Sequence, residues 1–91
     1  MPLKKRYKIY VNVNTFGMKK YVDVIAKMGA DGKVMPLTIV WTDGRKFHID
    51  RVRDVRRAAS LKSGGVGDRY TIDIGGQTRF LFLDEYRWYI E

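Results

Sequence analysis

The sequence predicts a small all-β domain: a partly open antiparallel barrel, SH3-like or similar, of six or seven short strands. Apolar and polar residues alternate with period two along most of the chain, and turn dipeptides separate the alternating runs. A chain of 91 residues supplies one thin core, and a single sheet must curl to cover its own apolar face. We therefore expect one domain over 1–91, in which 1–17 form an extra N-terminal strand or an extension.

The first two alternating runs predict two strands. The apolar positions of the first run are Tyr7, Ile9, Val11 and Val13. Those of the second run are Val22, Val24, Ala26 and Met28. The dipeptide Asp31-Gly32 follows, and such a dipeptide provides the positive φ angles of a tight hairpin.

A third strand is predicted after this turn, with Leu37, Ile39 and Trp41 on its inward face. Pro36 lies near its start, where a missing amide donor costs least. Asp43-Gly44 then turns the chain into a further short run. The apolar residues of that run are Phe47 and Ile49.

The last part of the chain alternates again and predicts two or three more strands. Its apolar positions are Tyr70, Ile72, Ile74, Phe80, Phe82, Tyr86, Trp88 and Ile90. Gly75-Gly76 and Asp84-Glu85 separate these runs and predict two tight turns.

The stretch RVRDVRRAASLKSGG, 51–65, interrupts this pattern. If the strand through Phe47 continued straight, Arg51 and Arg53 would share its buried face, and unpaired buried charges cost several kcal/mol. The register must therefore change near Asp50, either through a β-bulge or because a short helix forms near 51–60. In both alternatives Arg53 and Arg57 are expected to point outward together.

These arginines support a nucleic-acid hypothesis. Residues 45–69 have a net charge of +5, and 1–20 contain six basic residues and no acidic one. A phosphate-facing surface is predicted from these residues: Arg51, Arg53, Arg57, Lys62 and Arg69. Bases could stack on outward-facing tyrosines, and the candidates are Tyr10, Tyr21 and Tyr89.

A protein partner or a homodimer is the alternative. Asp50 and Asp54 each lie three residues before an arginine, which predicts ion pairs with Arg53 and Arg57. The arginines would then be structural, and an exposed strand edge or the 58–67 loop would bind a protein or a second copy of the chain.

Other functions find little support. The absence of cysteine excludes disulfides, thiolate metal sites and cysteine nucleophiles, and the carboxylates lack metal-ligand spacing. His48 is the only histidine and has no nucleophile at a diagnostic spacing. We expect no enzyme activity, cofactor, metal or small-molecule substrate. With neither a membrane span nor a secretory signal in the sequence, we expect a cytoplasmic location.

One longer pattern supports a resemblance. Pro36, Trp41, Asp43-Gly44-Arg45, Phe47, Ile49-Asp50, Val52, Asp54-Val55-Arg56 and Trp88-Tyr89-Ile90-Glu91 form a joined motif. The motif resembles a family of small uncharacterised proteins of Gram-positive bacteria, over about Tyr21–Glu91. The resemblance implies a small all-β domain and assigns no active residues. Because the resemblance leaves out 1–17, either Met1 or Met18 is expected as the start.

Overall fold

The computed structural model of the protein describes residues 20–60 and 66–91. Within these ranges the chain forms seven antiparallel strands and no helix, which confirms the predicted all-β class. The strands are β1 (Lys20–Met28), β2 (Val34–Val40), β3 (Lys46–His48), β4 (Arg51–Ala59), β5 (Val66–Ile74), β6 (Gln77–Asp84) and β7 (Arg87–Ile90). The run predicted from Tyr7 to Val13 lies outside the described residues.

The seven strands form one sheet in the order β3-β2-β1-β7-β6-β5-β4. Its two edge strands, β3 and β4, are consecutive in sequence, and only Ile49 and Asp50 join them. The Ile49 N–H donates to the Leu37 carbonyl at 2.9 Å, whereas the Asp50 N–H donates to the Asp73 carbonyl at 2.8 Å. Because two adjacent residues bond to opposite ends of the sheet order, the sheet must curl. The result is an open half-barrel, as the sequence predicts.

The core fills the inner face of this half-barrel. Alternating residues of β1, β2, β5, β6 and β7 point into it. The buried members of the cluster are Val22, Ile39, Trp41, Tyr70, Ile72, Leu81 and Ile90. Burial of such a side chain contributes about 1.5 to 3 kcal/mol, so this layer is a main source of stability for the described sheet.

Tight turns lie where the sequence predicts them. Gly32 and Gly44 have φ angles of 84° and 90°, and Gly75 and Gly76 have 58° and 80°. In the last hairpin the positive φ falls on Glu85, at 61°, and a side chain makes that conformation costly.

A β-bulge in β2 corrects one predicted inward residue. Ile25 pairs with Thr38 and Ala26 pairs with Pro36, so Leu37 has no partner on β1. Pro36 is therefore buried, while Leu37 is 42% exposed rather than inward. A bulge adds one residue to a strand and reverses the alternation beyond it.

Candidate interaction surface on the edge strand β4

The arginine-rich stretch forms the long edge strand β4 and contains a bulge. Val52 pairs with Ile72 on β5 and Asp54 pairs with Thr71, so Arg53 is the extra residue. The bulged-strand alternative is therefore correct and the helix near 51–60 is wrong. The alternation changes twice. Ile49 and Val52 are three residues apart and both pack against the core, so the predicted change near Asp50 is confirmed. The bulge at Arg53 is a second change, which places Val55 on the inner side of the sheet, opposite Tyr70, as Val52 is opposite Ile72.

Arg53 binds a carboxylate of the neighbouring strand. Its Nε donates to both Asp73 carboxylate oxygens, at 2.9 and 2.8 Å. The Thr78 hydroxyl donates to the same carboxylate at 2.9 Å. The hydrogen bond from Arg53 holds the pKa of the Asp73 carboxyl below its usual value, with smaller contributions from Thr78 and from the charge of Arg51. The same bond raises the pKa of Arg53.

Two of the other three arginines of β4 also have aspartate partners. Arg56 Nε donates to Asp54 at 2.8 Å, and Arg57 Nη1 donates to Asp68 at 3.4 Å. The predicted pairs of Arg53 with Asp50 and of Arg57 with Asp54 are therefore wrong. A carboxylate three residues back along an extended strand lies about 10 Å from the arginine. The carboxylates of the paired strand β5 lie closer.

Arg53 and Arg57 do not share a face, contrary to the prediction. Their partners Asp73 and Asp68 are an odd number of positions apart on β5, which pairs with β6 without irregularity. Side chains at odd separations leave opposite faces of a strand. The bulge at Arg53 has the same effect on β4, because it breaks the four-residue spacing that otherwise aligns the two arginines.

The remaining predicted site residues are dispersed. Arg51 lies opposite Asp73, at the start of β4. Arg69 lies on β5, and its guanidinium stacks on the Phe80 ring at 4.6 Å from the ring centroid. Lys62 lies outside the described residues. The structure thus brings Arg51 and Arg53 together around one aspartate and separates them from Arg57.

The described surface has little excess charge. Twelve lysines and arginines fall in the described ranges, together with all ten aspartates and glutamates. The other six basic residues are Lys62 and five residues of 1–19. The net charge of +8 therefore resides mainly outside the described sheet, which weakens the case for a phosphate-binding surface on β4.

The aromatic residues proposed for base stacking are largely occupied. Tyr89 is fully buried and stacks on Phe82, with centroids 4.9 Å apart and planes 1° apart, so its predicted exposure is wrong. Tyr21 is 38% exposed, and the guanidinium of Arg87 covers it at 3.8 Å. Tyr10 lies outside the described residues. Of the two candidate tyrosines in the described part of the chain, neither offers an open ring beside the arginines of β4.

An apolar seam runs beside β4 where the half-barrel is open. Val55 points toward the inner side of the sheet, yet it is 48% exposed. Its cross-strand partner Tyr70 extends its hydroxyl to the Val34 carbonyl at the start of β2, at 2.7 Å. Met28, which pairs with Val34, is 72% exposed. No described strand covers the outer edge of β4 or this seam.

Sequence reasoning missed a second feature at the other end of the inner face. A cleft of about 90 Å³ opens there between Trp41, Phe47 and Ile74, with Arg79 and Gln77 at its border. Arg79 Nε donates to the Glu91 carbonyl at 3.1 Å. Arg79 has the same parity as Leu81, which belongs to the inner cluster. The sequence prediction missed Arg79 because it assigns the apolar positions of this strand to Phe80 and Phe82, which have the opposite parity.

Catalytic and metal groups do not converge in the described ranges. His48 Nδ1 and Thr38 Oγ1 share a hydrogen bond of 2.9 Å, and Ser60 bonds Glu91. No three histidine, aspartate or glutamate side chains of residues 20–60 and 66–91 form a group that could hold a metal ion. The same ranges contain no helix that could cross a membrane.

Comparison with known proteins found no matching family model, curated protein or solved structure. The resemblance to small proteins of Gram-positive bacteria stays a prediction. Function has to be inferred from the surface itself.

Proposed function

We propose that this protein is a non-enzymatic interaction domain that binds an extended segment of a partner protein along the open edge of β4. One observation supports this proposal above the others. Among the described strands, the nine-residue strand Arg51–Ala59 pairs only with β5, and three of its four arginines already bind aspartates. An edge strand offers a row of main-chain donors and acceptors, which an extended peptide can pair as an additional strand.

The seam beside β4 favours a segment with apolar residues at alternate positions. Val55 and Met28 are exposed there although both belong to the inner side of the sheet. A strand added to β4 would direct every second side chain toward the same side and cover Val55. The bound segment would extend the incomplete barrel by one strand.

The arginines favour acidic residues at the other positions of the segment. Arg53 and Arg56 use Nε for their aspartates, so their terminal amino groups can still donate to an incoming carboxylate. Their side chains are 49% and 62% exposed. Such exposed pairs give modest binding energy and mainly select the partner by charge.

The same charges disfavour dimerisation through this edge. Two copies that paired β4 with β4 would place arginines of one chain opposite arginines of the other, and like charges across a strand pair are destabilising. Arginines and a bulge on an edge strand are typical protection against edge-to-edge association. The proposed partner is therefore a different protein rather than a second copy.

A synthetic peptide of alternating valine and glutamate residues tests this proposal. Titration into the labelled protein should shift the backbone amide resonances of β4 and leave those of β3 unchanged. Val55→Arg should weaken binding at least tenfold, because the new charge blocks the seam. Val66→Arg is the matched control, since Val66 is 49% exposed and lies on the paired strand β5. Equal binding of a valine and lysine peptide, or equal effects of the two variants, would refute the proposal.

Nucleic-acid binding is the second candidate, and the exposed guanidinium groups support it. Arg57 is the most exposed of the paired arginines, at 67%, and a phosphate could displace its long contact with Asp68. Binding by about four basic groups should give a slope of about −3 to −4 in log affinity against log salt. The double variant Arg53→Glu and Arg57→Glu should abolish binding to nucleic acid. Failure to bind mixed single- and double-stranded oligonucleotides at low salt would exclude this candidate.

A further inference from the structure

The cleft between Trp41, Phe47 and Ile74 has rigid apolar walls. Its apolar lining residues are Ile39, Trp41, Phe47, Ile74 and Ile90. Trp41 and Ile39 belong to the core cluster and are 5% and 1% exposed, so close packing fixes the shape of these walls. Small-molecule sites in proteins are clefts of this kind, mostly apolar with a few polar groups at defined positions. The cleft is therefore suited to a ligand with one apolar part.

The size of the cleft limits this apolar part to a short group. The volume of the cleft is about 90 Å³. An apolar cavity of about 150 Å³ holds the six carbons of benzene, so the cleft has room for about three or four carbons. A branched group such as isobutyl keeps its carbons within such a compact space. A longer linear chain would extend out of the cleft into solvent, where it gains nothing from burial.

The polar side chains at this end of the inner face are basic or neutral. Arg79 lies two residues before Leu81 and Lys20 lies two residues before Val22, so both point to the side of the inner cluster. Gln77 precedes Arg79 by two residues on β6 and lies at the same border of the cleft. Among the described residues that line the cleft there is no carboxylate. The charges at this end therefore favour an anionic ligand.

Both cations lie close to the apolar walls. The Lys20 Nζ is 5.2 Å from the centroid of the Trp41 ring. Arg79 Nε donates to the Glu91 carbonyl at 3.1 Å, which holds the arginine side chain at the border of the cleft. A guanidinium has five N–H donors in a planar fork, more than one carbonyl can accept, and this fork matches a carboxylate. A carboxylate that extends from the cleft would therefore meet positive charge from β1 and from β6.

A third cation near the cleft is already paired. The guanidinium of Arg45 lies 5.6 Å from the centroid of the Phe47 ring. Its Nε donates to the Asp43 carboxylate at 2.6 Å, and the Arg45 backbone N–H donates to the same carboxylate at 3.0 Å. Asp43 thus balances the charge of Arg45, so Arg45 adds little attraction for an anionic ligand.

We propose that the cleft binds a short branched carboxylate such as 3-methylbutanoate. The isobutyl group would pack against Trp41, Phe47 and Ile74. The carboxylate would accept hydrogen bonds from Arg79 and attract the Lys20 ammonium. The site binds this ligand without a chemical step. It lies at the other end of the inner face from the seam beside β4, so this proposal is independent of the proposed function.

Titration of the labelled wild-type protein with 3-methylbutanoate locates the binding site. The indole N–H resonance of Trp41 and the backbone amide resonance of Gly75 should shift, because both residues line the cleft. The indole resonance of Trp88 is the internal control, since Trp88 contacts Tyr70 outside the cleft. Unchanged Trp41 and Gly75 resonances, or equal shifts of the two indoles, would overturn the proposal.

Two related compounds separate the contributions of charge and size. The neutral 3-methylbutanamide has the same shape and should bind about tenfold more weakly, because it lacks the charge that Arg79 and Lys20 attract. Octanoate has the same charge and should bind no more tightly than 3-methylbutanoate, because its additional carbons lie outside the cleft. Equal affinities for the acid and the amide, or tighter binding of octanoate, would contradict the proposed ligand class.

A matched pair of charge variants tests the role of Arg79. Arg79→Gln should lower the affinity for 3-methylbutanoate about tenfold and leave the affinity for 3-methylbutanamide unchanged, a difference that a general loss of structure would not produce. Arg87→Gln removes the same charge beside the Tyr21 ring, outside the cleft, and should change neither affinity. Equal effects of the two variants on the acid would rule out the assigned role of Arg79.

A second pair of variants tests the apolar part of the site. In Ile74→Phe the larger ring should fill the cleft and weaken the binding of both the acid and the amide about tenfold. Ile25→Phe is the matched control, because Ile25 is 47% exposed and lies outside the cleft. Undiminished binding by a folded Ile74→Phe protein would disprove the site. If a variant does not fold, the comparison of the acid with the amide on the wild-type protein decides.

Discussion

The Tyr70 hydroxyl donates a hydrogen bond to the Val34 carbonyl at 2.7 Å and thereby joins β5 to the start of β2. The two residues are 36 positions apart and their strands are not neighbours in the sheet. This bond crosses the open side of the half-barrel. It holds the two halves of the curled sheet at a fixed separation next to the proposed binding edge.

We expect Tyr70→Phe to lower the free energy of unfolding by about 1 kcal/mol, because one hydrogen bond is lost while the buried ring is retained. Urea denaturation measures this difference. Tyr86→Phe is the matched control, since Tyr86 is 83% exposed. Equal stabilities of the two variants would mean that the bond does not hold the seam.

Alkaline pH should act on the same bond. Burial raises the pKa of Tyr70, and the negative charge of Asp68 adds to the effect. The neutral hydroxyl therefore stabilises the fold below the unfolded pKa of about 10, and this contribution is lost as pH rises through the folded pKa. The melting temperature of the wild-type protein should fall more steeply above pH 10 than that of Tyr70→Phe. Parallel curves would contradict this expectation.

Acidic pH should remove the stabilisation that the Arg53–Asp73 pair gives to the fold. The hydrogen bond from Arg53 lowers the pKa of Asp73. The ionised Asp73 therefore stabilises the fold above the unfolded pKa of about 3.9, and this stabilisation is lost as pH falls through the folded pKa. Asp73→Asn should therefore melt below the wild type at pH 7 and at the same temperature near pH 2. Asp23→Asn, measured in parallel, corrects for the loss of one surface charge. A constant difference across this pH range would rule out the linkage.

Gly67→Ala should destabilise the β5–β6 pair. A Cβ at this buried position would lie 2.7 Å from the Leu83 carbonyl oxygen, which is backbone and cannot turn aside. We expect a loss of about 1 to 3 kcal/mol by thermal or urea denaturation. At Gly29 the corresponding contact is the Asp31 side chain at 2.8 Å, which can rotate away. Gly29→Ala should therefore cost clearly less, and the reverse order would be inconsistent with these contacts.

The last hairpin offers a stabilising substitution. Glu85 has a φ of 61°, a conformation that costs a residue with a side chain about 1 to 2 kcal/mol. Glu85→Gly should remove this cost and raise stability by about 0.5 to 1 kcal/mol after the entropy of glycine is counted. Gly76→Ala, at φ 80°, should have the opposite sign. A loss of stability in Glu85→Gly would show that its side chain has a compensating contact.

The strands and turns could be predicted because their signals are local. Alternation identifies the inner residues Ile39 and Ile72 without knowledge of any partner strand, and paired glycines mark the turn at Gly75-Gly76. The predicted apolar positions of β6, Phe80 and Phe82, are wrong for the inner face, because Leu81 belongs to the inner cluster. The bulges could only be localised with the structure, since a bulge is defined by the residue missing opposite it. Leu37 and Arg57 therefore lie on faces other than the predicted ones, whereas Arg53 lies on the outer side as predicted.

The candidate site was less predictable for a related reason. Asp50 and Asp54 are close to the arginines in sequence, whereas the actual partners Asp73 and Asp68 are 20 and 11 residues away. Tyr89 likewise stacks on Phe82 of the neighbouring strand, a contact that alternation along one strand cannot reveal.

The position of β7 between β1 and β6 determines the order in which the sheet can form. Strands β4 to β7 and strands β1 to β3 are each linked by short hairpins, and the pairing of Lys20, Tyr21 and Val22 with Ile90, Tyr89 and Trp88 joins the two groups. This pairing closes a loop of nearly the whole described chain, so its entropic cost is high and contact order predicts slow folding. We expect each group to collapse early and the β1–β7 junction to form last. Sequence changes at this junction should then alter the rate of unfolding more than the rate of folding.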